Sequence, residues 1–304
     1  MNKDHIIPLA ENPSFSIQIK NISKKYGNVN ALNDVSISIE DKKIYGLLGR
    51  NGAGKTTLLN ILTNKIYPTS GEILINSKSI WENQDMQSQI CYMTEKNLYP
   101  REMKVLDIFK SAQITYVNFD MDMALSLASY FKLNIKKKNK SLSKGFESIL
   151  KIIVCLASNA PVVIMDEPVL GLDAAVRDEF YKMLLENYVQ NPRTFIISTH
   201  LIEEISSLIE EAIILHKGRI LVKKPVEKLL EEGYSATGKA ENVDRYCEGR
   251  NVIHSETIGK FKNNTVLEPY EERDMEYALR LDIEIMPISL QKLFIHMTGG
   301  KSNE

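Results

Sequence analysis

The sequence contains no long hydrophobic run. No stretch approaches the roughly 20 consecutive apolar residues that a membrane-spanning helix needs. The apolar run near the amino terminus is short and is interrupted by Pro8, so it does not match a secretory signal peptide. These absences predict a protein that does not cross a bilayer by itself and that acts in the cytoplasm.

The chain also lacks an excess of charge of one sign. Its 38 basic and 39 acidic residues leave a formal net charge of -1. Because an overall basic field is what gathers nucleic acid, we expect no nucleic-acid partner. The composition, with 43% hydrophobic and 25% charged residues, is ordinary for a soluble globular protein.

Cysteine is scarce, and the three cysteines stand far apart along the chain. Cys91, Cys155 and Cys247 do not have the spacing of metal ligands. We interpret them as buried or inert thiols.

Two kinds of strand pattern alternate with helical pattern. Apolar residues alternate with polar ones at residues 15–19 and 35–39, which is typical of half-exposed antiparallel strands. Continuous apolar runs predict buried strands at residues 44–49, 162–165, 195–198 and 212–215. Helix-like segments separate them, so the order predicts an α/β fold with a mostly parallel sheet and an antiparallel sheet beside it.

The most specific motif is GRNGAGKTT at residues 49–57, between a predicted strand and a predicted helix. It satisfies the pattern of a phosphate-binding loop, whose glycines let backbone N–H groups turn toward a phosphate at the start of a helix. Lys55 is predicted to contact the β- and γ-phosphates of a nucleotide, and the Thr56 hydroxyl is predicted to bind Mg²⁺. The predicted nucleotide-binding residues of this loop are Gly49, Asn51, Gly52, Ala53, Gly54, Lys55, Thr56 and Thr57.

Two carboxylates follow the buried strand predicted at residues 162–165. Asp166 is placed to hold Mg²⁺ through water, and Glu167 is the natural base for an attacking water molecule. A phosphate loop followed by such a pair predicts nucleotide hydrolysis.

Residues from about 95 to 160 have a helical pattern, which predicts a helical subdomain inserted into the α/β core. After Pro225 the sequence becomes mixed and charged, so we place a domain boundary there. The apolar residues of the last segment make a disordered tail improbable, and two interpretations stay open for this region. It is either a small lid that stabilises the core or a regulatory, dimer-supporting domain.

Across about residues 14 to 225 the chain resembles the ABC ATPase family. LSKGF at residues 142–146 resembles the family's LSGGQ signature, LGLD at 170–173 resembles its D-loop, and STH at 198–200 resembles its switch-histidine segment. Tyr26 corresponds to the aromatic residue that stacks on adenine. Together with the phosphate loop and the carboxylate pair, these motifs stand in the family's order.

The resemblance implies an architecture and a shared site. The fold would be α/β, with a P-loop ABC ATPase core (mostly parallel sheet plus antiparallel β subdomain) at 14–227, its helical subdomain at about 95–160, and a small α+β accessory or regulatory domain at 228–304. ATP and Mg²⁺ would be the cofactors. Ser143 and Gly145 of one subunit would cap the γ-phosphate held by Lys55 of a second ATPase subunit, and His200 would contact the same phosphate.

Two departures from the family pattern stand out. In the signature, Lys144 replaces a glycine and Phe146 replaces a glutamine, while Ser143 and Gly145 are retained. Glu95 stands where the Q-loop glutamine usually is; its carboxylate can still approach Mg²⁺, and it adds negative charge near the phosphates. We expect a working but altered cap and a slower or more tightly gated ATPase.

Short segments at 95–100 and 285–298 resemble the branch of the family that serves drug, peptide or lantibiotic exporters. In that branch the transmembrane permease subunits are separate chains, and the ATPase lies on the cytoplasmic face of the cell membrane. The partner ATPase subunit would be either an identical chain or a paralogue.

Two alternatives come from other functional classes. Soluble ABC ATPases that act on the ribosome usually carry two cassettes, whereas this chain has one phosphate loop. Soluble ABC ATPases that act on DNA carry a coiled coil, whereas the interval from Thr57 to Leu142 shows no sustained heptads. A module that binds ATP without hydrolysing it is disfavoured by Glu167 and His200.

Overall fold

The computed structural model describes residues 16–299. Residue 15 of the first predicted strand, the segment around Pro8 and the outer ends of both predicted domains lie outside the described residues. In chain order the strands are β1 (Ser16–Tyr26), β2 (Val29–Glu40), β3 (Ile44–Leu48), β4 (Ser70–Ile75), β5 (Lys78–Ser79), β6 (Ile90–Met93), β7 (Val162–Asp166), β8 (Thr194–Ser198), β9 (Glu211–His216), β10 (Arg219–Pro225), β11 (Tyr234–Lys239), β12 (Val252–Ile258), β13 (Phe261–Val266) and β14 (Glu284–Pro287).

The helices are also numbered in chain order. They are α1 (Lys55–Leu62), α2 (Gln84–Gln87), α3 (Val105–Thr115), α4 (Met121–Tyr130), α5 (Lys144–Ala157), α6 (Ala174–Gln190), α7 (Ile202–Ile205), α8 (Val226–Glu231), α9 (Ala240–Tyr246), α10 (Glu272–Arg280) and α11 (Leu290–Met297). Among residues 16–299, no helix combines the length and the apolar character that crossing a membrane requires.

A six-stranded sheet forms the centre, in the order β10-β9-β3-β8-β7-β6. The five strands from β9 to β6 run parallel, and β10 joins the edge antiparallel to β9. Beside it lies an antiparallel sheet in the order β2-β1-β4-β5. The predicted α/β class, with a mostly parallel sheet and an antiparallel sheet beside it, is confirmed.

The continuous apolar runs of β3, β7 and β8 follow from burial on both faces. Every residue of these three strands is buried. Because successive side chains of a strand point to opposite faces, Val162 and Ile164 pack in one apolar cluster, whereas Val163 and Met165 pack in the other. This two-sided core fixes the strand ends at which polar side chains gather.

Helices α3, α4 and α5 have an apolar cluster of their own, which includes Val105, Phe109 and Leu150. Helix α5 also contributes Ile152 and Leu156 to the main cluster of the central sheet. It therefore joins the helical segment to the core, and its amino-terminal end carries the predicted signature.

The carboxy-terminal region contains a third sheet, in the order β12-β13-β11-β14. Its cluster includes Tyr234, Tyr246 and Val266. Helix α11 does not belong to that cluster: Leu290, Leu293 and Phe294 are buried in the main cluster of the central sheet. The last helix thus packs the carboxy-terminal region against the core of the central sheet. The domain division at residues 227 and 228 stays a prediction.

Candidate functional site

The predicted phosphate loop connects the end of β3 to the start of α1. Its backbone needs glycine at Gly54, which has a left-handed conformation with φ of 109°. A Cβ atom there would stand 2.6 Å from the Ala31 carbonyl oxygen, so any side chain would displace the neighbouring strand. The loop closes with a hydrogen bond of 3.0 Å from the Ala53 N–H to the Arg50 carbonyl. The backbone amides at the start of α1 are hydrogen-bond donors at a helix amino terminus, which suits an anion.

Lys55, the first residue of α1, brings a positive charge into this loop. Its side chain is largely buried, at 8% exposed. The Nζ atom donates a hydrogen bond of 2.5 Å to the Gly49 carbonyl and a longer one of 3.4 Å to the Arg50 carbonyl. Burial lowers the pKa of the Lys55 amine, and the carboxylates of Glu167 and Asp166 oppose that effect.

Thr56 and Asp166 meet at the carboxyl edge of the central sheet. The Thr56 hydroxyl donates a hydrogen bond of 2.9 Å to Oδ2 of Asp166, whose side chain is almost fully buried. Hydroxyl and carboxylate oxygens are the ligand types that Mg²⁺ prefers, so this pair fits the metal. Among residues 16–299 no group of three or more His, Cys, Asp or Glu side chains is arranged to hold a metal ion. An ion here would take most of its remaining ligands from water and from substrate phosphates.

Glu167 and His200 meet because they follow neighbouring parallel strands, β7 and β8. The His200 Nδ1 atom lies 2.9 Å from Oε2 of Glu167, and the Thr199 hydroxyl donates a hydrogen bond of 3.3 Å to the same oxygen. Glu167 is in the left-handed region with φ of 50°, and its N–H donates to the Ser198 carbonyl at 2.8 Å. The carboxylate is only 15% exposed, whereas the imidazole is 56% exposed.

Ser143 and Gly145 begin helix α5. Ser143 is the exposed N-cap residue, and its hydroxyl accepts a hydrogen bond of 3.3 Å from the Phe146 N–H. A Cβ atom at Gly145 would lie 2.9 Å from the Gly171 carbonyl oxygen, so this glycine permits close approach to the predicted D-loop. The Lys144 side chain is 88% exposed, and its Nζ lies 3.3 Å from Oε2 of Glu147.

The predicted site residues divide into two groups. A hydrogen bond joins Thr56 to Asp166, and Glu167 contacts His200. The charges of both carboxylates act to raise the pKa of the Lys55 amine. Within residues 16–299 no hydrogen bond links that group to the predicted residues that lie outside the phosphate loop. These are Tyr26, exposed at the end of β1, Glu95, exposed after β6, and Ser143 and Gly145 at the start of α5.

One residue of the site region escaped the sequence analysis. Lys151 lies on the buried face of α5 and is only 6% exposed. Its Nζ donates hydrogen bonds of 2.9 Å to the Thr94 carbonyl and 2.8 Å to the Glu95 carbonyl, so it holds the predicted Q-loop segment against α5. Burial lowers the pKa of this amine. A single lysine in the apolar run SILKIIVCLA is a signal that could have found it.

The chain is similar to known proteins. The sequence profile described as ABC transporter matches residues 32–170. The ABC transporter ATP-binding protein YtrB of Bacillus subtilis strain 168 is 27% identical over 290 residues, which cover 94% of this chain and 99% of that protein. An uncharacterised ABC transporter ATP-binding protein of Methanocaldococcus jannaschii is 32% identical over 218 residues, 70% of this chain and 79% of that protein.

Two further matches concern a transport protein and a solved fold. The lantibiotic transport ATP-binding protein SrtF of Streptococcus pyogenes is 28% identical over 212 residues, 68% of this chain and 90% of that protein. Among solved structures, a dimeric post-hydrolysis ATP-binding cassette with ADP and phosphate superposes with a TM-score of 0.62 at 22% identity, over 69% of this chain and 98% of that one. With its phosphate loop, its paired carboxylates and these relatives, the chain belongs to the family of ABC transporter ATP-binding proteins.

Proposed function

We propose that this protein binds and hydrolyses ATP to power an ABC transporter that exports peptides, antimicrobials or drugs. The observation that carries the proposal is that several polar side chains lie together at the carboxyl edge of the central sheet. There the Thr56–Asp166 hydrogen bond lies at the same strand ends as the contact between Glu167 and His200. A metal-binding pair next to a carboxylate base is what hydrolysis of a nucleoside triphosphate needs.

ATP binding would use the loop at residues 49–57 and one aromatic ring. The loop amides and the Lys55 ammonium would hold the phosphates, since both supply hydrogen-bond donors and positive charge. Tyr26, half exposed at the end of β1 with its ring 5.1 Å from the Lys24 Nζ, would stack on adenine.

Magnesium would be held by Thr56 and Asp166, with Glu95 as a further carboxylate from the segment after β6. When bound, the ion neutralises charge on the phosphate oxygens. The buried Asp166 carboxylate also fixes the Thr56 hydroxyl, so this chain presents both oxygens in one orientation.

Glu167 would act as the general base. A water molecule attacks the γ-phosphorus, its proton passes to the Glu167 carboxylate, and the bond to the β–γ bridging oxygen breaks, which leaves ADP and phosphate. Thr199 and His200 both contact Oε2 of Glu167, so they orient that carboxylate. The exposed His200 ring would contact the γ-phosphate and help hold the attack geometry.

Two subunits would share each ATP. The exposed N-cap Ser143 and the amides that follow it at the start of α5 form a second anion-binding helix end, which would cap the γ-phosphate bound by the other subunit. The close packing of Gly145 against Gly171 supports a rigid cap, despite the substitutions at Lys144 and Phe146.

The transported cargo class is proposed from relatives. The lantibiotic transport protein SrtF and a bacitracin transport protein of Bacillus licheniformis, 30% identical over 224 residues, support a role in moving peptide antimicrobials. Membrane subunits encoded as separate chains would bind this protein at the cytoplasmic face of the membrane.

The Glu167→Gln variant offers a direct test, because it should hold ATP without hydrolysing it. With an affinity tag and mild detergent, the variant should co-purify with a multi-span membrane protein in the presence of ATP. The Lys55→Ala variant, whose affinity for ATP should be lower, serves as the control and should co-purify with less membrane protein. Recovery of Glu167→Gln with ribosomes, or free of membrane proteins, would contradict the transporter proposal.

A further inference from the structure

The fold brings two cysteines into contact that are 64 positions apart in the sequence. Cys91 on β6 and Cys155 on α5 have their sulfur atoms 3.6 Å apart, and each residue is 2% exposed. Cys247, in contrast, lies in the separate carboxy-terminal cluster. A disulfide bond has a sulfur separation of about 2.05 Å, so closing this pair needs a movement of only about 1.6 Å.

A cavity of about 190 Å³ reaches the two thiols. Cys91 and Cys155 line its inner part, and the exposed residues Lys96, Leu98 and Ser111 line its outer part. Because a water molecule occupies roughly 30 Å³ of liquid, the cavity accommodates several molecules of the size of water or hydrogen peroxide. Both cysteines therefore border a space that is large enough for a small oxidant.

The neighbours of the pair favour one cysteine as the first to react. The hydrogen bond with Cys155 holds the pKa of the Cys91 thiol below its usual range, and Tyr116 adds to that effect. The hydrogen bond with Cys91, followed by burial, raises the pKa of the Cys155 thiol well above its usual range. Since the thiolate is the nucleophile, these directions favour Cys91 as the attacking residue and Cys155 as the resolving one.

We propose that Cys91 and Cys155 form a reversible oxidation site at which a peroxide converts the two thiols into a disulfide. The Cys91 thiolate attacks one peroxide oxygen, the O–O bond breaks, and the departing hydroxide takes up the proton that the Cys91 thiol released, which gives a sulfenic acid and one water. The Cys155 thiol then attacks that sulfur, its proton passes to the departing oxygen as the S–O bond breaks, and a second water leaves. Two thiols and one hydrogen peroxide thus become one disulfide and two waters.

The disulfide would connect two segments of the ATP site. Strand β6 leads directly into the Glu95 segment, and α5 begins with Ser143 about three turns before Cys155. Lys151, one turn before Cys155, already holds the Glu95 segment against α5 by hydrogen bonds. A covalent bond at this place would prevent the two segments from moving apart, so oxidation would slow hydrolysis. This effect on the rate rests on the proposed function, whereas disulfide formation does not.

The test uses the purified, reduced full-length chain treated with hydrogen peroxide. Peptide mapping under non-reducing conditions should find the Cys91 peptide joined to the Cys155 peptide in the wild type and in the matched control Cys247→Ala. Cys91→Ala and Cys155→Ala should show no such cross-link. ATP hydrolysis by the wild type should fall about tenfold and return with dithiothreitol, because the disulfide restrains a movement of the Glu95 segment and α5 that turnover would need.

Each result decides one part. If the wild type is oxidised stoichiometrically and the Cys91–Cys155 cross-link is absent, the proposed oxidation site is wrong. A cross-link that leaves the hydrolysis rate unchanged would overturn its control of the ATPase. A reduced wild-type protein without ATPase activity would contradict the proposed function instead, while the cross-linked peptide would still test the thiol pair. Thermal melts check folding, and Cys155→Val, which keeps the site filled with an apolar side chain, replaces an alanine variant that unfolds.

Discussion

The Thr56 hydroxyl donates a hydrogen bond of 2.9 Å to the Asp166 carboxylate, across 110 positions of sequence. The central sheet produces this contact, because β3 and β7 run parallel with only β8 between them. The carboxyl ends of both strands therefore lie at the same edge of the sheet. Helix α1 begins at this edge, and Asp166 and Glu167 lie where β7 ends.

Replacing Glu167 by glutamine should lower ATP turnover by about 100-fold or more while ATP binding is kept, because the base is lost and the phosphate loop is not. The variant should accumulate as an ATP-bound dimer. Steady-state phosphate release and gel filtration with ATP measure both effects. Glu186→Gln, an exposed change on α6, is the control and should keep the wild-type rate. Wild-type turnover by Glu167→Gln would show that another group is the base.

Lys55→Ala should weaken ATP binding by roughly tenfold to 100-fold, since a charged hydrogen-bond donor to the phosphates is lost. Calorimetric titration with ATP at physiological Mg²⁺ measures the dissociation constant. Lys182→Ala on the surface of α6 removes the same charge from a side chain that is 68% exposed, and it should bind like the wild type. Equal affinity of Lys55→Ala and Lys182→Ala would exclude the phosphate contact.

Ser143→Arg should abolish ATP-induced dimers while each monomer still binds nucleotide, because a bulky side chain would fill the position of the shared phosphate. Ser143→Asn is the matched control, since asparagine keeps the N-cap hydrogen bond that Ser143 makes to the Phe146 N–H. Light scattering with and without ATP, in a Glu167→Gln background, measures dimer formation. Hydrolysis is measured with Glu167 intact, and a Ser143→Arg monomer that hydrolyses ATP would refute the shared site.

Leu293→Ala should destabilise the whole protein by about 2–5 kcal/mol, because α11 buries this side chain completely in the main core. Leu279→Ala on α10 makes the same chemical change where the side chain is 76% exposed, and it should cost less than about 0.5 kcal/mol. Urea unfolding followed by circular dichroism gives both free energies of unfolding. Equal, small losses would show that α11 does not support the core.

Stability should fall as the pH drops from about 6.5 to 4 because of His296. Burial, helped by the stacked ring of His254 at 3.9 Å and by Lys292, lowers the pKa of His296 to about 4, against a weaker opposite effect of Glu256. In this pH range the unfolded chain binds a proton that the folded protein does not, so unfolding is favoured.

Melting temperatures of wild type and His296→Gln at pH 7.5 and 5.0 measure this effect. The variant should lose less stability on acidification than the wild type does. His216→Gln, at the end of β9, is the control and should follow the wild type. A wild type and a His296→Gln variant with the same pH dependence would contradict the assignment.

Local signals explain what the sequence predicts well. The strand, glycine loop and helix around Lys55 lie within one short segment, so apolar pattern and glycine spacing are enough to predict them. The buried strands β7, β8 and β9 are predicted within one or two residues for the same reason. The α/β fold class is confirmed, although the contact between Thr56 and Asp166 depends on how the strands are arranged in space.

Long-range packing explains what the sequence does not predict. Cys91 and Cys155 have no spacing pattern, and only the packing of α5 against β6 brings their sulfur atoms together. The buried Lys151 is satisfied by two backbone carbonyls, which no side-chain motif reveals. The apolar residues of the last segment predict burial, yet their partners on α7 and α8 could not be inferred from pattern alone.

The return of α11 to the central core also bears on the order of events during protein synthesis. Ile44 and Leu48 of β3 leave the ribosome long before Leu293 and Phe294, which complete the same apolar cluster. Until α11 is made, the surfaces of α7 and α8 that it covers stay open to solvent, a condition that favours aggregation or chaperone binding. The nascent chain therefore reaches its finished core only after α11 has been translated.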